Sequence, residues 1–101
     1  MKSITVEELK KRMDGGEQLH IIDVREPWEY QAFNIGAKNI PLGDLLSSES
    51  LIEDLKNEEV ILHCKAGRRS FTAQQFLSSK GFSNTVNLEG GMDAWQAAFG
   101  S

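Results

Sequence analysis

Two short apolar runs stand out along the chain. Residues 19–24 read Leu-His-Ile-Ile-Asp-Val, and residues 59–63 read Glu-Val-Ile-Leu-His. Both are too short for an ordinary globular helix and carry β-branched residues, so each predicts a buried strand. Residues 85–88 predict a third, shorter strand. Between these runs, helix signals recur. Thr5-Val6-Glu7-Glu8 sets a carboxylate three residues after a hydroxyl, the capping-box pattern. It predicts a helix over 6–13 that Gly15-Gly16 ends. Pro27 suits the first turn of a short helix over 26–31. Residues 37–41 predict an extended segment, and 42–55 are helical in composition with a break at Ser47-Ser48. Phe71, Phe76 and Leu77 recur at helical spacing, and Gly81 supplies a stop. Gly90-Gly91 predicts a turn, and residues 92–99 a last helix carrying Trp95. Strands that alternate with helices imply an α/β domain, its sheet mainly parallel and its helices on both faces.

Length and composition narrow the class. The 101 residues suit one domain over 1–101, with room for one core. Fifteen acids against 11 bases give a net charge of −4, unfavourable for general nucleic-acid binding. A single cysteine cannot form an internal disulfide, which excludes a disulfide-stapled scaffold. The start of the chain has no signal-peptide pattern, and no run approaches the roughly 18 apolar residues of a membrane helix. A soluble cytoplasmic protein is the expectation. Gly100-Ser101 suits either a natural end or a cloning remnant.

The cysteine changes the picture most. Cys64 directly follows a predicted buried strand and precedes a glycine-containing loop that leads into a helix. In open α/β sheets, ligands bind beyond the carboxyl ends of the strands. Lys65, Arg68 and Arg69 place three positive charges within five residues of an acidic protein. The helix that follows turns its unpaired N–H groups toward the loop. Both features favour a thiolate, and with it a lowered pKa and a nucleophilic sulfur. Gly67 lets the backbone curl so that several N–H groups converge. The opposing reading is a cysteine that packs as a small hydrophobe; three cations and the strand-loop-helix setting argue against it.

Other polar residues carry less. His63 is adjacent to Cys64, but neighbours in a strand point to opposite faces, so a Cys–His dyad is not expected. One cysteine and two histidines make a zinc site implausible. Asp23 and Arg25 read as an ion pair that orders the loops, and Ser70 as a helix cap. Trp95, Phe71, Phe76 and Phe82 read as core.

Four segments resemble the rhodanese-like family of sulfurtransferases. They are Asp23-Val24-Arg25-Glu26-Pro27, Gly36-Ala37-Lys38-Asn39-Ile40-Pro41, the six-residue loop Cys64 to Arg69, and Gly90-Gly91-Met92-Asp93-Ala94-Trp95. The segment Phe33-Asn34-Ile35-Gly36-Ala37 is one residue shorter than in many members and resembles domains that serve sulfur-carrier activation. The resemblance implies a three-layer α/β/α fold around a five-stranded, mainly parallel sheet. It implies that Cys64 attacks thiosulfate or a persulfide, becomes a persulfide, and passes the outer sulfur to a thiol or cyanide. The active loop Lys65, Ala66, Gly67, Arg68 and Arg69 would hold the donor, with Asp23, Arg25 and Ser70 in support. No cofactor or metal is implied. A sulfur-relay protein is a possible partner; nucleic acid and membrane are not. Phosphatases and arsenate reductases of the same fold are rivals, but the spacing here is Cys-x4-Arg, and Ser70 stands where Cys-x5-Arg needs arginine. A regulatory thiol and a binding module complete the alternatives.

Overall fold

The computed structural model describes residues 1–100; Ser101 lies outside the described residues. In chain order the elements are β1 Lys2–Ile4, α1 Val6–Asp14, β2 Ile21–Asp23, α2 Pro27–Ala32 and β3 Lys38–Asn39. Then follow α3 Leu42–Ser47, a 3-10 segment Glu49–Leu55, β4 Glu59–His63, α4 Arg68–Ser79, β5 Asn84–Leu88 and α5 Gly91–Phe99. The five strands form one sheet in the order β1-β5-β4-β2-β3. Every neighbouring pair is parallel. Among the described residues no helix is long and apolar enough to cross a membrane.

Period-two alternation on β4 divides the core. Val60, Leu62 and Cys64 face one layer, with Ile22, Val24, Leu45, Ala73 and Leu77. Ile61 faces the other, with Leu9, Val86, Leu88, Met92 and Trp95. Each fully buried aliphatic side chain contributes about 1.5–3 kcal/mol, so the central strand is well anchored. The carboxyl end of this strand is therefore a rigid platform for Cys64. The Thr5 cap of α1 is complete: Glu8 N donates to Thr5 Oγ1 at 3.1 Å, and Thr5 N donates to Glu8 Oε1 at 2.9 Å.

Several expectations need correction. β1 has no apolar run: of its three residues only Ile4 is buried. Tertiary bonds hold it, through pairing with β5 and through Gln74, whose Nε2 donates to the carbonyls of Lys2 at 2.8 Å and Thr85 at 3.0 Å. The turn falls on Glu89 and Gly90, one residue earlier than expected, and Gly91 already begins α5. Phe71 is not core. It is 43% exposed, because α4 turns Ala73, Gln74 and Leu77 inward instead. Phe82 and Trp95 are buried, and Phe76 is partly so. Ser70 does not cap α4; Gly67 occupies that position in the left-handed conformation, and Ser70 lies inside the helix.

Candidate active site

Cys64 leaves β4 at the sheet's carboxyl end and is buried. Three donors surround its Sγ. Gly67 N–H lies at 3.1 Å, Ser70 N–H at 3.4 Å and the Ser70 hydroxyl at 3.4 Å. Gly67 reaches φ +104°, which lets the loop fold over the sulfur before α4 starts. Burial pushes the Cys64 thiol up, but the Ser70 hydroxyl and the N–H groups of Ser70, Gly67 and Ala66 outweigh it, and the net shift is downward.

The loop points its N–H groups inward because its carbonyls are engaged elsewhere. Met92 N donates to the Cys64 carbonyl and Asp93 N to the Lys65 carbonyl, both at 2.9 Å. The amino end of α5 thus satisfies the loop's acceptors and gains partners for its own orphan donors. Gly91 makes this approach possible. It sits at φ +53°, and a Cβ there would fall 2.7 Å from the Lys65 carbonyl oxygen.

Asn87 on β5 is a participant that the sequence pattern did not single out. Its Nδ2 donates to the Gly67 carbonyl at 3.2 Å, which orients the amide. Its Oδ1 then accepts from the Ser70 hydroxyl at 2.5 Å. The hydroxyl has one proton, and Sγ and the Gly67 carbonyl, at 3.2 Å, also lie in reach. An anionic sulfur would compete with Asn87 for that proton. Its sequence signal is weak, because Asn84 and Thr85 on the same strand are polar as well.

The loop cations are not equally free. Arg69 makes a two-pronged bond to Glu29 on α2, at 2.6 and 3.0 Å. Glu29 is pulled down to about 2, first by the Arg69 hydrogen bonds. Lys65 Nζ binds the Asp93 carboxylate at 2.9 and 3.1 Å. Among the described residues Arg68 has no carboxylate partner. Arg68, Arg69, Phe71 and Asn87 help line an open groove of about 630 Å³ over the loop. A larger groove, about 750 Å³, lies by β1 between Lys2, Lys11 and Glu59 and shares no residue with it.

Asp23 and Arg25 are brought together beneath the loops. Arg25 Nη2 and Nε donate to the Asp23 carboxylate at 2.8 to 3.1 Å, and Nη2 also donates to the Phe33 carbonyl at 2.6 Å. That last bond secures the short segment before Gly36. His63 lies on this face, away from Cys64, with its Nε2 3.8 Å from Asp23 Oδ2. Neither ring nitrogen has a hydrogen-bond partner.

The family model of the rhodanese-like domain matches residues 5–98. The chain is 39% identical over 94 residues to the probable adenylyltransferase/sulfurtransferase MoeZ of Mycobacterium tuberculosis, covering 92% of this chain but 24% of that protein. It is 36% identical over 97 residues to the putative sulfurtransferase YtwF of Bacillus subtilis, covering 95% and 91%. A crystal structure of a rhodanese-like domain protein from Staphylococcus aureus superposes with a TM-score of 0.83 at 36% identity, covering 94% and 91%. Relatives named as sulfurtransferases support rhodanese-type sulfur transfer at the level of the family. The parallel sheet, the cysteine at the end of its central strand and the match across nearly the whole chain lead to one conclusion: this chain belongs to the rhodanese-like domain family.

Proposed function

We propose that Cys64 is the nucleophile of a sulfurtransferase and carries sulfur as a persulfide. The supporting observation is the convergence of the Gly67 and Ser70 N–H groups and the Ser70 hydroxyl on Sγ. These donors stabilise a thiolate and, after transfer, the terminal sulfur of a persulfide in the same cup. In the first step Sγ attacks the sulfane sulfur of thiosulfate or a persulfide. The Sγ–S bond forms, the donor's S–S bond breaks, and sulfite or a thiolate leaves with the bonding pair. In the second step an acceptor thiolate or cyanide takes the outer sulfur, and the Cys64 thiolate is regenerated. The two displacements predict ping-pong kinetics. Arg68 and Arg69 line the groove through which a donor would approach. A likeness to the putative sulfur carrier protein YrkF of Bacillus subtilis, 36% identical over 93 residues, supports a place in a sulfur relay with a partner protein. The four-residue spacing between Cys64 and Arg69 favours a sulfur atom over a tetrahedral phosphate.

Intact-mass measurement after incubation with thiosulfate or cysteine persulfide tests the reading. The expected result is a gain of one sulfur atom that reductant reverses and Cys64→Ser abolishes. An unchanged mass with both donors, or brisk hydrolysis of an aryl phosphate, would overturn it.

A further inference from the structure

The loop cations that could attract an anionic donor are mostly answered within the chain. Arg69 spends its guanidinium fork on Glu29, and Lys65 its ammonium on Asp93. Three cations, two carboxylates and one thiolate leave the neighbourhood of Cys64 without net positive charge. Resting on the sulfur-transfer reading, we infer that Glu29 and Asp93 set donor specificity, biasing the site against dianionic thiosulfate and toward persulfide donors.

The bias follows from the charge each reaction moves. Thiosulfate enters as a dianion and releases sulfite as a dianion, while the Cys64 thiolate becomes the persulfide anion. A protonated alkyl persulfide enters uncharged at its reacting end and releases a thiolate of one charge; Cys64 receives the outer sulfur with its proton. Coulomb energy scales with the product of charges, so the same two carboxylates oppose thiosulfate more strongly. To grip a sulfonate oxygen with its fork, Arg69 must also release Glu29, which stays ionised throughout the physiological range.

The two residues are not equivalent. Glu29 is 10% exposed and holds Arg69 with both oxygens, a geometry that binds strongly. Lys65 and Asp93 are 63% and 49% exposed, and such surface pairs are weak. Glu29 is therefore the larger determinant. Both act on donor choice through a neighbouring cation and are positioning residues.

The test compares kcat/KM for thiosulfate and for cysteine persulfide in wild type, Glu29→Gln and Asp93→Asn, at low and high salt. Both substitutions are nearly isosteric. Glu29→Gln is expected to raise the thiosulfate-to-persulfide ratio about tenfold at low salt, mainly through a lower KM for thiosulfate. Asp93→Asn is expected to raise it about two- to threefold. Both gains should shrink at high salt, which loss of a structural contact alone would not produce. A ratio that stays constant or falls in both variants, with transfer to Cys64 intact, overturns the specificity role alone. A wild-type protein that accepts sulfur from neither donor overturns the sulfur-transfer reading and this inference with it.

Discussion

Cys64 and His63 are consecutive residues at the end of one strand, both buried, and their surroundings treat the charged form of each differently. Cys64 faces α4 and meets three hydrogen-bond donors, which favour its anion. His63 faces the layer beneath, where neither nitrogen finds a partner. Burial, only partly offset by the Asp23 charge, pushes its pKa down to about 4, so it stays neutral at pH 7. Burial disfavours charge at both positions. The supply of oriented donors decides which charged form is supported, and the pleat of the strand decides which group receives them.

The largest expected effect comes from making the Cys64 side resemble the His63 side. Gly91→Val would force a branched side chain into a left-handed conformation against the Cys64 and Lys65 carbonyls. The amino end of α5 would withdraw, and the loop would lose the anchors that turn its N–H groups toward Sγ. A loss of about 4 kcal/mol in stability is expected from strain and overpacking together. Denaturant unfolding measures it, and reactivity of the Cys64 thiol should fall in parallel. Stability within error of wild type would mean that α5 is not what sets the loop.

A smaller effect isolates His63. Unfolded, it titrates near 6.5; folded, near 4. Between these values the unfolded chain binds a proton that the native chain does not, so stability is full above pH 6.5 and falls as pH drops toward 4. The contribution lost is about 3 kcal/mol. Asp23 and Arg25 both face His63; the carboxylate favours the imidazolium and the guanidinium opposes it. His63→Leu should flatten stability between pH 6.5 and 4 in equilibrium unfolding, at little cost at pH 7. An unchanged acid slope would show that His63 does not titrate with unfolding.

The smallest effect sharpens the Cys64 side alone. Ser70→Ala removes the hydroxyl donor but leaves the N–H groups of Gly67 and Ser70 in place. Sulfur uptake at neutral pH should slow about three- to tenfold, in line with one hydrogen bond to a charged group. Its pH–rate profile should move to higher pH, as the thiol loses a group that lowers its pKa. Slowing without a profile shift would assign the hydroxyl to a later step.

Much of the frame was legible in the chain. β4 was readable to the residue, because a short β-branched run between polar ends has few other solutions. The Thr5 capping box located α1, and the break at Ser47-Ser48 separated α3 from the 3-10 segment. The Asp23–Arg25 pair lies two residues apart and forms within one turn of chain. β1 was not legible, because its bonds come from β5 and Gln74, more than 70 residues away. Phe71 misled because helical spacing identifies a face without saying which face meets the core.

The sequence alone determined the alternation of strands and helices, and the placement of one thiol between a buried strand and a glycine-bearing helix start. These are local matters of side-chain period, backbone freedom and capping chemistry, written within a few residues of where they act. Only the tertiary structure decided how the loop's charges are used. Glu29 lies 40 residues from Arg69 and Asp93 lies 28 from Lys65. Ser70 meets Asn87 across 17 residues. Electrostatic pairing depends on distance in space, and the fold brings a carboxylate to two of the three cations that looked free along the chain.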